Sequence, residues 1–404
     1  MGKNAKDNRP YVKPVKRIEV DGSKNYRPRI ILVVALLALG FTMIFVGLVS
    51  LLNKEPGWTQ IETDGKELSC AADFVFMYEI SGTAESKKVT QVYSEAARDA
   101  LVLFEEGLDG LNANRNTVVE LAEPVYRALE TLENAGTRAH YLAPVSEEYN
   151  RVFLAESQAE AGRYDPNRDP DAAALVDEMM VFLRDPEAVS ISLLGNFQAR
   201  LNVSAEFEAY LAESEIDTVV EFGWMRNAFA ADYIAGCLTE AGLTKGYLVS
   251  YDGFTRTLDS GNYAQNLFHR EGVNVYLPAR LTYSGPMSIV ALRAYPMVEE
   301  DRWHYCAYDD GFITTAMLDP ETGRSVSAGE ELTGCSQSLG CGELLAAMLP
   351  VYLVPELDEG ALTAMEDAAF VWFKGTTLRY SDPDLVITLL EDTKDLTFTA
   401  QLAK

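Results

Sequence analysis

The chain has 404 residues, with 61 acidic against 34 basic side chains and a formal net charge of −27. That balance argues against nucleic acid as a partner, and against adhesion to anionic lipid or wall polymer by bulk electrostatics. Five cysteines (Cys70, Cys237, Cys306, Cys335 and Cys341) are too few and too scattered for a disulfide scaffold, and no Cys/His cluster has zinc spacing.

Residues 1–29 are rich in Pro, Lys and Asn and hold nine of the basic residues against three acidic ones. This composition predicts a disordered, basic tail. Ile30–Leu52 follows with no charged residue. About 20 apolar residues span a bilayer as a helix, so this segment is expected to be an uncleaved, single-pass transmembrane helix in the cytoplasmic membrane. The Lys/Arg excess before it predicts the N-terminus inside. After Leu52, 25 basic residues face 58 acidic ones, an excess of 33 negative charges in the part expected outside. Residues 53–70 read as a linker and 71–404 as one extracytoplasmic domain.

Within that domain, Ala72–Ile80 reads as a strand and Val89–Leu111 as an amphipathic helix. A second helix is expected from Val118 and Val119 to near Gly136, and a third over residues 145–162. Tyr164-Asp165-Pro166 and Pro170 mark a turn before a helix over Ala172–Leu183. Val189–Leu193 and Thr218–Phe222 read as short strands. Ala228–Ala241 is a small-residue helix stopped by Gly242, followed by strands at Tyr247–Tyr251, Val273–Tyr276, Met287–Ala294, Trp303–Tyr308 and Phe312–Leu318. Gly340–Tyr352 reads as a helix, and Phe370–Trp372, Leu378–Tyr380 and Leu396–Leu402 as strands. The interleaving lacks regular βαβ spacing, so the fold class expected is α+β.

Generic catalytic signatures are absent: no Gly-x-Ser-x-Gly elbow, no Walker loop and no Gly-x-Gly-x-x-Gly. Only His140, His269 and His304 could assist as bases, and His304 sits between aromatic residues, where packing is the expected role.

Four stretches in order carry a resemblance. They are Tyr164-Asp165-Pro166, the run from Val220 to Asp232 around Gly223 and Asn227, Leu248–Gly253, and Asp310-Gly311 through Asp319-Pro320-Glu321-Thr322-Gly323. Together they resemble the FAD:protein FMN transferases, the ApbE-type flavin transferases, over roughly residues 70–402. The resemblance implies an ApbE-like (T-fold-like) mixed helix and antiparallel-sheet domain. It also implies FAD as ligand, Mg2+ as cofactor and transfer of FMN to a Thr or Ser of a partner. The residues it places around the nucleotide are Gly223, Asn227, Asp232, Gly253, Asp319, Thr322 and Gly323.

Several positions depart from the family. Its Lys falls on Asn227, one of its paired glycines on Asp252, its His on Ala316 and its Thr-Ser-Gly on Glu299-Glu300-Asp301. Its magnesium-binding Asp-x-x-x-Thr falls on Gly342 and Ala346, with Glu343 as a displaced carboxylate. A pyrophosphate needs charge neutralised and magnesium needs hard oxygens. These losses together predict a catalytically degenerate relative, a pseudoenzyme with a binding or assembly role beside a membrane-protein neighbour. The competing readings are an active magnesium-dependent transferase with a diverged site and a wall-facing structural protein.

Overall fold

The computed structural model describes residues 56–63, 69–297, 301, 303–390 and 396–403. The expected tail and the apolar span Ile30–Leu52 lie outside these residues. Among the described residues no helix is long and apolar enough to cross a membrane.

Strands β1 (Gly57–Gln60) and β2 (Phe74–Ile80) precede helices α1 (Thr83–Glu105) and α2 (Asp109–Ala113). Next come β3 (Val119–Glu120), α3 (Glu123–Asn134), α4 (Ala143–Phe153), α5 (Gln158–Tyr164) and α6 (Pro170–Leu183). The hairpin β4 (Val189–Gly195) and β5 (Gln198–Val203) leads to α7 (Ala205–Glu213) and α8 (Arg226–Glu240). Five strands follow: β6 (Gly246–Ser250), β7 (Phe254–Thr257), β8 (Asn262–Glu271), β9 (Asn274–Ser284) and β10 (Met287–Arg293). The chain then forms β11 (Tyr305–Ala307), β12 (Ile313–Thr315), β13 (Glu331–Ser336), α9 (Cys341–Tyr352) and α10 (Glu359–Ala364). It closes with β14 (Ala369–Lys374), β15 (Thr377–Tyr380), β16 (Val386–Leu389) and β17 (Thr399–Leu402).

Nine strands form one sheet in the order β1-β2-β6-β7-β10-β13-β14-β15-β17, antiparallel throughout except for the β15–β17 pair. Side chains alternate across it. On one face Val290, Leu292, Leu332, Phe370 and Trp372 join the main core with residues of α1, α8 and α9. On the other, Met287, Ile289, Cys335, Ala369 and Val371 meet Leu267, Ala279 and Leu281 of the β8–β9 pair. The α+β expectation therefore holds, with a mainly antiparallel sheet between helices and a second, three-stranded sheet of β16, β9 and β8.

Burial on both faces explains the strand that hydropathy misses. Strand β13 reads Glu-Leu-Thr-Gly-Cys-Ser, yet all six residues are buried. Glu331 is tolerated there because it accepts from Tyr295 Oη (3.0 Å) and Phe268 N (3.3 Å). At Gly334 a Cβ would run into Met348 Sδ of α9, so the missing side chain lets the helix approach.

Several expected elements shift. Val118 and Val119 precede α3, which starts at Glu123 with Pro124 in its first turn, and Val119 belongs to β3. The long second half of the expected Val89–Leu111 helix breaks after Glu105 and resumes as α2. Residues 145–162 split into α4 and α5, and the expected linker contributes strand β1, paired with β2. Cys335 and Cys341 are both free thiols, and their side chains lie in different cores on opposite faces of the sheet.

Thr218–Phe222 is not a strand. Its backbone is held instead by one side chain, Asn112. The Asn112 Oδ1 accepts from Val219 N (2.9 Å) and Val220 N (3.1 Å), while its Nδ2 donates to Val220 O (2.9 Å). Glu221 N donates to His140 O at 3.0 Å. Asn112 is buried, so deleting its amide leaves three backbone groups unsatisfied. Asn112→Ala is expected to lower unfolding stability by about 2–4 kcal/mol in a urea titration. Asn112→Asp, which keeps both acceptor bonds, should cost less.

Candidate functional site

The segment that Asn112 clamps runs straight into the wall of the principal cleft. Gly223 takes φ +52°, a left-handed turn that sends the chain into α8. This places Glu221, Trp224, Arg226 and Asn227 side by side along a cavity of about 480 Å³. Phe104 and Glu105 from the end of α1, with Tyr149 and Phe153 from α4, form the facing wall. Asp252, from the turn between β6 and β7, joins them with Trp303, His304, Ala316 and Leu318. A second lobe of about 540 Å³ shares Arg226, Asn227, Asp252, Trp303 and His304, and adds Asp73, Tyr251 and Asp301.

The Tyr164-Asp165-Pro166 turn holds one side of this cleft. Asp165 is fully buried; its Oδ2 accepts from Tyr308 Oη (2.9 Å) and from Thr314 Oγ1, and its Oδ1 from Asn167 N (2.9 Å). Arg168 lies 4.1 Å from the Tyr308 ring centroid and pairs with Asp310 at 2.8 Å. The β11–β12 hairpin, flanked by His304 and Ala316, is therefore fastened to the α5–α6 turn.

Several polar groups of the cleft are engaged with neighbours. Arg226 pairs with Asp73 (2.8 Å) and with Glu105. Asn227 donates its Nδ2 to Asp252 Oδ2 at 2.9 Å. Arg293, beside the Asp252 turn, donates to Tyr251 O at 3.3 Å. Burial, followed by the nearby Arg226 charge, pushes the His304 pKa below its usual value, so the ring is neutral at pH 7. Burial raises the Glu221 carboxyl, and raises Asp252 to about 6.

Of the residues that the resemblance assigns to the nucleotide, Gly223 and Asn227 line the cleft, and so do the departures Asp252 and Ala316. The others are placed elsewhere by specific contacts. Gly253, at φ +106°, sits so close to Ala291 O of β10 that a Cβ would collide with it. Asp319, Thr322 and Gly323 form a self-contained turn: Asp319 accepts from Thr322 Oγ1 (2.7 Å) and Glu321 N (2.9 Å). Gly323 packs against Val176 and Met180 of α6, and only the neighbouring Leu318 reaches the cleft.

Asp232 accepts from Cys341 N and Gly342 N, both at 2.8 Å, and pairs with Arg256 Nε at 3.4 Å. It thereby caps α9, whose own N-cap is the side-chain-free Gly340. Glu343 reaches back to Gly340 N at 2.9 Å and serves the same helix end. Gly342 and Ala346 are buried, and a Cβ on Gly342 would meet the Phe229 ring of α8. The positions that correspond to magnesium ligands offer no oxygen side chain, and among the described residues no three His, Cys, Asp or Glu groups gather to hold a metal. This donor set does not fit Mg2+.

Glu221, Trp224, Arg226, Asp73 and Trp303 line the cleft without having been singled out from the sequence, and His304, expected to serve packing, lines it as well. The available signal was adjacency: Glu221, Trp224 and Arg226 flank Gly223 and Asn227, and Trp303 and His304 precede β11.

The raised Asp252 carboxyl has a stability consequence. Between pH ~4 and ~6 the folded state holds a proton that the unfolded state has released, so stability falls as pH rises through that window. Asp252→Asn removes the ionisable group and keeps an acceptor for Asn227. It is expected to raise unfolding stability by about 1–2 kcal/mol at pH 8, allowing for the side chain's partial exposure, and by little at pH 4. Denaturant titrations at the two pH values measure the difference; an equal effect at both would refute this account of Asp252.

No protein-family model matches the sequence, and no curated protein is similar to it. Among solved structures, the ApbE protein from Thermotoga maritima has a TM-score of 0.54 at 11% identity, covering 80% of this chain and 94% of its own. The flavin transferase ApbE from Vibrio cholerae gives 0.48 at 12% identity, covering 80% of this chain and 95% of that one. The apo flavinyl transferase ApbE from Pseudomonas stutzeri gives 0.47 at 12% identity, covering 83% and 95%. At such identity, the likeness to the Thermotoga maritima protein shows fold alone: the described residues have an ApbE-like mixed helix and sheet fold.

Proposed function

We propose that this chain is a pseudoenzyme with an ApbE-like fold: it keeps the cleft for binding or assembly and does not transfer FMN. The observation that carries the reading is the Asn227–Asp252 hydrogen bond at 2.9 Å. It stands where the resemblance puts a phosphate-binding lysine and a ligand-contacting glycine. A neutral amide closed by a carboxylate supplies neither the charge nor the backbone access that a pyrophosphate requires. Burial of Gly342 and Ala346 supports the same reading, since restoring ligands there would disrupt the core.

In this reading Ile30–Leu52 anchors the chain in the cytoplasmic membrane as a single-pass helix, with residues 1–29 inside and residues 71–404 outside. The domain then acts on a membrane-protein neighbour at the outer face. Anchor and orientation rest on hydropathy and on the Lys/Arg excess before the segment.

The test is to incubate the full-length chain with FAD, Mg2+ and a flavin-accepting threonine substrate, and to look for covalent flavin fluorescence on a denaturing gel. No labelled band is expected. A band that needs both FAD and a divalent metal would refute the pseudoenzyme reading. Cysteine-accessibility labelling of Asn4→Cys and Glu187→Cys variants in intact cells tests the topology: only position 187 should react with an impermeant thiol reagent.

A further inference from the structure

We propose that the cleft binds an organic cation carried on an apolar stem, a lysine side chain of a partner peptide or a free polyamine, and does not bind a flavin nucleotide. The inference rests on the pseudoenzyme reading above, in that it takes the cleft as a binding site freed from transfer. It goes further by naming the chemistry of the occupant.

Three observations carry it. The first is charge. Among the described residues of the two lobes and the adjoining Arg293 corner, the carboxylates of Glu105, Glu221, Asp252 and Asp73 stand with the guanidinium groups of Arg226 and Arg293. Arg226 is neutralised locally by Asp73 and Glu105, and Arg293 is directed to a backbone carbonyl. A diphosphate entering here would meet a surplus of carboxylates, whereas an ammonium would be attracted.

The second is an unmet acceptor. Asp252 lines both lobes; its Oδ2 accepts from the Asn227 amide, and its Oδ1 is buried with no hydrogen-bond partner among the described residues. A buried carboxylate oxygen left without a donor is costly, and a ligand N–H would satisfy it. An anionic phosphate has no proton to offer at that point.

The third is the wall material. Trp224, Tyr149 and Phe153 line the same cavity as Glu221 and Asp252. Aromatic faces attract cations held near them, and they also cover the methylene stem behind an ammonium head. Carboxylates and aromatic rings that line one cavity form a receptor for an alkylammonium.

Trp224 makes intrinsic fluorescence a direct readout. The full-length chain is titrated with spermidine, with a tetralysine peptide, and with FAD plus Mg2+, at an ionic strength of about 150 mM to screen diffuse surface attraction. Both cations are expected to give saturable changes, confirmed by calorimetry, while FAD gives none. Asp252→Asn and Glu221→Gln should each weaken cation binding by about tenfold, the scale of one charge-assisted contact. Glu187→Gln, an exposed acid far from the cleft, should leave binding unchanged. Circular dichroism confirms that each variant is folded, and if one fails to fold the other decides. Tighter binding of tetralysine points to a peptide source, and tighter spermidine binding to a free polyamine. The inference is overturned if neither cation saturates, if both cleft variants bind like the unaltered chain, or if FAD saturates and displaces the cations. The FMN-transfer assay is read separately: covalent labelling overturns the pseudoenzyme reading, whereas a cation null without labelling overturns this inference alone.

Discussion

The α8–α9 junction fixes the geometry on which the rest of the domain depends. Asp232 supplies two acceptors to the start of α9, at Cys341 N and Gly342 N, and takes Arg256 as its counter-charge. A helix start lacks partners for its first amides, and Gly340 has no side chain to provide one. Without Asp232, those donors would be left against a largely buried contact. With it, Gly342 can lie directly against Phe229, and α8 is pinned in the same act. The N-terminal turn of α8 carries Arg226 and Asn227, with Trp224 just before it, so the cleft's composition is set by how this junction is capped.

In the pseudoenzyme reading proposed above, the same junction accounts for an ApbE-like fold without a magnesium donor set. A metal-binding Asp and Thr on α9 would need room and solvent access near Gly342 and Ala346. Here those positions are packed, with Gly342 and Ala346 buried and the Phe229 ring filling the approach. Tighter helix contact and metal coordination compete for one space, and packing has taken it. The Asp319–Gly323 turn follows a similar logic: its side chains serve the turn and the α6 contact, and do not turn toward the cleft.

Much of this was legible in the sequence wherever a physical constraint is local. The helix over Ala228–Ala241, its stop at Gly242 and the strand over Met287–Ala294 appear as expected, because φ preference and burial act on neighbouring residues. Strand β13 was hidden because its polar letters are satisfied by distant partners, Tyr295 and the Phe268 amide. Thr218–Phe222 looks like a strand for the opposite reason: its apolar residues are buried, yet its backbone bonds go to the Asn112 side chain. The cleft was half legible. Asn227, Asp252 and Ala316 stand out as departures from a family pattern, while the acids and rings around them acquire meaning only once α1, α4 and the β11–β12 hairpin converge.

That convergence changes what the departures signify. Taken singly, Asn227 and Asp252 are departures from the lysine and the glycine that the resemblance implies. Taken together they form a bond, and the other Asp252 carboxylate oxygen is buried with no donor among the described residues. A site that merely decayed would be expected to fill such a position with a neutral or small side chain, because an unpaired buried acceptor destabilises the fold. Instead, burial lifts the Asp252 pKa to about 6, still below neutral pH, so the charge persists under physiological conditions. Glu221 adds a second half-buried acid to the same cleft, near Trp224 in the chain. A protein retains strained electrostatics of this kind where a ligand relieves them, and the group that relieves a buried carboxylate between aromatic walls is a cation.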